Sequence, residues 1–71
     1  MMKRIDAVKE MIRHLDAIAI ALEKAIEDTS RYLGDRKLIS CLENSRTNID
    51  LVKRRLNELE DIYSWLDAEV L

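Results

Sequence analysis

Leu33-Gly34-Asp35-Arg36-Lys37 decides the fold of this chain, because it holds the sole glycine of a 71-residue sequence that contains no proline. Glycine takes the left-handed conformation that ends a helix, and an aspartate directly after it can cap the next helix. The five residues therefore read as a helix stop followed at once by a helix start.

On either side of this turn the sequence keeps a heptad rhythm. In the first half the a and d positions are Ile5, Val8, Ile12, Leu15, Ala19, Leu22, Ile26, Thr29 and Leu33, all but one apolar and none charged. In the second half they are Leu38, Leu42, Ser45, Ile49, Val52, Leu56, Leu59, Tyr63, Leu66 and Val70, where only Ser45 interrupts the apolar and aromatic series. Apolar residues at this spacing form one stripe along a helix and seek a partner helix. A connection this short makes the two arms antiparallel neighbours. The expected fold is all-α: a two-helix antiparallel hairpin, coiled-coil-like, with helices at about 3–33 and 36–69, a turn at 34–36, and a bundle completed by another chain. One alternative splits the second arm, since Thr47 and Asp50 ahead of an apolar run have the form of a capping box. Unbroken phase through Leu42, Ser45, Ile49 and Val52 favours a single helix.

Composition narrows the function classes. The chain is 48% hydrophobic and 37% charged, far from the disordered class and close to that of long helices. A domain this small hides only about 60% of the surface its unfolded chain exposes, and such domains gain stability from disulfides, metals or association. Cys41 is the one cysteine and His14 the one histidine. An internal disulfide is thus impossible, a metal site unfavourable, and association is the remaining route, so an oligomer is expected. The net charge of −2 gives no bulk attraction to nucleic acid or anionic membrane. The longest apolar run, Ala17–Leu22, is far short of the ~20 residues that span a bilayer, and no small-residue cleavage site follows it. The chain reads as cytoplasmic, with Cys41 reduced and no role at a membrane.

Nothing points to catalysis or a cofactor. Bundles that do chemistry turn Glu, His, Arg or Lys inward; the seam here has no charged residue, Glu10 and His14 have the wrong spacing for a di-metal pair, and His14 falls at an outward c position. A lone Cys41 at g, beside no base, reads as a small buried hydrophobe. The triplet Lys53-Arg54-Arg55 points three ways around a helix, and Asp50 with Arg54, then Arg54 with Glu58, stand four apart and can pair. That describes a solvated face, so nucleic acid is disfavoured as a partner.

Surplus apolar surface is the informative feature. Met11, Ile18, Ala25 and Tyr32 recur at g, and Ile20 joins them to make the middle of the first helix apolar almost all round. A single opposite arm cannot cover such a helix, although alanines at c and f are also simply good helix formers. On the second arm Leu51 and Trp65 fall at c and Ile62 at g, and large aromatics often anchor interfaces. Glu58, Glu60, Asp61, Asp67 and Glu69 form an acidic rim around Trp65. Met11, Ile18, Ile20, Tyr32, Leu51, Ile62 and Trp65 are accordingly the candidate partner-binding residues.

In its arm lengths, its Gly34-Asp35-Arg36-Lys37 turn and its surplus apolar surface the chain resembles the small co-chaperones of type III secretion needle subunits. The resemblance implies a hairpin that pairs with a tetratricopeptide-like chaperone and keeps the needle subunit soluble. In architecture alone it is also similar to the Rop-like plasmid regulators, which implies a homodimeric four-helix bundle on paired RNA loops. The acidic end and scattered basic residues count against that second implication. The expected function is a non-enzymatic protein-binding module whose partner is a different chaperone or another copy.

Overall fold

The computed structural model describes the backbone of residues 3–69 and the side-chain surroundings of residues 3–66. Helix α1 runs Arg4–Asp28 and passes without interruption into a wider π-helical turn, Thr29–Leu33; helix α2 runs Arg36–Glu69. The two helices lie against each other as an all-α hairpin, 55 Å long and only 18 by 14 Å across.

Gly34 makes the reversal. Its φ of 60° and ψ of 24° are left-handed, and its N–H donates to the Thr29 carbonyl at 2.7 Å. Asp35 then caps α2: the Leu38 N–H donates to its carboxylate at 3.1 Å and the Ile39 N–H to its carbonyl at 3.0 Å. The expected stop and start are therefore both present. So is the continuity of α2, which runs unbroken through residues 44–48. Thr47 is no helix cap: its hydroxyl donates to the carbonyl of Glu43 one turn back, and Ser45 does the same to Cys41.

The seam differs from the simple a/d stripe in two places. The π turn carries an extra residue per turn, so positions beyond Thr29 swing round by about one residue. Thr29 is buried, whereas Leu33, expected in the seam, is 68% exposed. As far as Val52, α2 is rolled about its axis. Ile39 and Lys53 at e turn partly inward, while Leu38 and Val52 at d turn outward; beyond it Leu59 and Leu66 at d stay half-buried. The positions at a keep their place, with Leu42, Ile49 and Tyr63 half-buried and Leu56 buried. Val70, the last expected seam position, lies outside the described residues.

The interior is thin. Among the described residues Val8 and Leu56 are the buried apolar ones, and no large side chain is fully enclosed. Each helix has one neighbour, so most seam residues keep one edge in water.

Candidate protein-binding flank

An antiparallel hairpin has two long flanks beside its seam, one bordered by the e positions of both helices and the other by the g positions. The two are chemically opposite here. On the e flank Lys53 pairs with Asp16 and Arg46 with Glu23 across the helices. The residue numbers of both pairs sum to 69, which fixes one antiparallel register. The hydrogen bond to Asp16 raises the Lys53 pKa above its usual value. A shallow groove lined by Glu23, Ile26, Glu27 and Arg46 opens on this side.

The g flank has no such closure. Met11 and Ile18 of α1 and Ile62 of α2 stand exposed along it, and the roll of α2 adds Leu38 and Val52. Leu51 and Trp65, at the neighbouring c positions, extend this surface outward, and Trp65 is 61% exposed. Arg55 and Glu58 lie in the same rows and pair with each other at 2.9 Å, so they present little net charge. The same roll thus tucks in the ion-paired edge and lifts out the apolar one.

Five of the seven sequence-derived positions, Met11, Ile18, Leu51, Ile62 and Trp65, share this side of the hairpin. Ile20 does not. It is 67% exposed, but two residues along a helix correspond to about 200° of rotation, which sets it beyond the ion-paired flank among Asp16, Glu23 and Lys24. Tyr32 is displaced as well: it sits in the π turn, 73% exposed, with the Arg31 guanidinium 5.9 Å from its ring centroid. Sequence reading missed Leu38 and Val52, because a heptad marks which residues share a stripe and not how far the helix is rolled.

Charges and the thiol are also rearranged. The pairs expected along Asp50, Arg54 and Glu58 give way to the Lys53–Asp16 bridge and the Arg55–Glu58 pair. Arg4 packs its guanidinium 4.6 Å above the Tyr63 ring and fastens the open end of the hairpin. Cys41, expected to be buried, is exposed. Its g position puts it on the open flank rather than in the seam. Among the described residues no three or more of His, Cys, Asp and Glu gather as a metal site, and no helix is long and apolar enough to cross a membrane. No family model, curated protein or solved structure matches this chain.

Proposed function

We propose that this chain is a non-enzymatic protein-binding module that presents the apolar g flank of a helical hairpin to another protein. The observation that carries this reading is the asymmetry between the flanks, ion-paired on one side and a row of exposed Met, Ile, Leu, Val and Trp on the other. Large exposed apolar surfaces mark interaction sites. The resemblance to needle-subunit co-chaperones gives the module its specific role: the flank would dock on a tetratricopeptide-like chaperone and help keep a secretion subunit soluble in the cytoplasm. The regulator reading is weaker, since Arg4, Arg31, Arg46, Lys53 and Arg55 are each engaged by an acid or an aromatic ring.

Co-expression with a needle subunit and its tetratricopeptide-like chaperone from the same source tests the role. A soluble complex that survives purification, and that Ile18→Asp or Ile62→Asp disrupts, is the expected outcome. No complex with these partners would remove the secretion role, and a complex indifferent to both substitutions would remove the flank.

A further inference from the structure

The α1 part of the open flank has a self-complementary pattern, and we infer that it takes a second copy of this chain, with the two α1 helices antiparallel about a two-fold axis at Ala17. The inference rests on the reading of the g flank as a docking surface and names its occupant in the free chain, which the chaperone of the proposed role would displace.

The pattern is in the residues themselves. α1 spans Arg4–Asp28, so its midpoint is residue 16. An antiparallel second α1 in full overlap pairs c and g residues whose numbers sum to 32, and f residues whose numbers sum to 34, by the same offset that an antiparallel coiled coil shows between its core and its flanks. Met11 then meets Ala21 of the second copy, and Ile18 meets its His14, so that a large side chain faces a small one at Met11 and an imidazole closes the layer over Ile18. Along the f row Glu10 meets Lys24 of the second copy, and by symmetry Lys24 meets its Glu10. Ala17 meets its own counterpart on the axis, where a methyl group lets the helices approach closely. A two-fold interface requires each contact to occur twice. Opposite charges placed seven residues to either side of Ala17 meet that requirement, as they would not for a partner of unrelated sequence.

Surface area points the same way. The chain exposes 5727 Å², roughly 1,100 Å² more than a compact monomer of its 8.3 kDa mass. Two chains that bury such an excess would remove on the order of 2,200 Å², the size of an obligate interface. The second α1 sits about 100° around α1 from α2, one residue's rotation, which is the corner of a square four-helix bundle.

Charge reversal and cross-linking of the full-length chain test this. Glu10→Lys or Lys24→Glu alone turns two attractions into repulsions and should weaken the dimer roughly tenfold by sedimentation equilibrium, whereas the double reversal should restore it to within about threefold. Circular dichroism checks that each variant remains helical. In a Cys41→Ser background, Ala17→Cys should join efficiently across the dimer with a short bis-maleimide, and Ile20→Cys, one turn further along α1 and rotated about 60° away from the second copy, should join far less. A dimer with neither charge rescue nor cross-linking at position 17 overturns this packing. A monomer over the whole accessible concentration range overturns the second copy as occupant, while the effect of Ile18→Asp and Ile62→Asp on a co-expressed partner decides separately whether the flank docks anything.

Discussion

Gly34 carries the reversal through its backbone alone. A Cβ there would meet nothing within 4 Å, but φ is +60°, and the left-handed conformation costs an L-residue roughly 1–2 kcal/mol. Gly34→Ala should therefore destabilise the chain by about 1 kcal/mol in urea unfolding at fixed protein concentration, with helix content unchanged; a neutral result would mean that the turn relaxes. Two leucines that both fall at a positions, one in each arm, should behave differently. Leu56 is 8% exposed, and Leu56→Ala should cost about 2–3 kcal/mol, the low end for an emptied core site because a hairpin can collapse around the gap. Leu33→Ala should cost less than about 0.5 kcal/mol, as a surface substitution does. Equal losses at the two sites would contradict the phase shift at the π turn.

The hairpin and its two long arms were legible in the sequence, since Gly34, Asp35 and two uncharged stripes leave few alternatives. What was not legible has one physical source. A heptad names the stripe, and the roll of each helix depends on whether the e or the g edge gains more by closing. Here Asp16 and Glu23 meet Lys53 and Arg46, opposite charges held in register, and the e edge closes. Each exposed pair adds at most about 1 kcal/mol, so the ladder selects register more than it stabilises. Asp16→Lys should lower stability, and Asp16→Lys with Lys53→Asp should recover most of the loss; failure to recover would count against the rung. The pair also fixes a pH dependence. Because the Lys53 pKa is raised by Asp16, its contribution is fully present below the unfolded lysine value, about 10.4, and is lost as pH rises through the folded value. Unfolding midpoints should be insensitive to this group near neutrality and fall above about pH 10.5, and Lys53→Met should remove that alkaline component.

At the scale of the molecule, the hairpin is a rod with little interior. Its radius of gyration is 16.4 Å, against about 11 Å for a compact domain of this length. Val8 and Leu56 are the only apolar side chains among the described residues that are properly buried, too few to hold 67 ordered residues against their conformational entropy. If the open flank is the proposed docking surface, it is part of how the chain folds, and association there should add the missing core. Equilibrium unfolding followed over a hundredfold range of protein concentration tests this most directly. The midpoint should climb with concentration for the natural chain and lose that climb, at lower stability, in Ile18→Asp. A cooperative unfolding with the same midpoint at every concentration and a stability above about 5 kcal/mol would show a self-sufficient monomer and contradict the account.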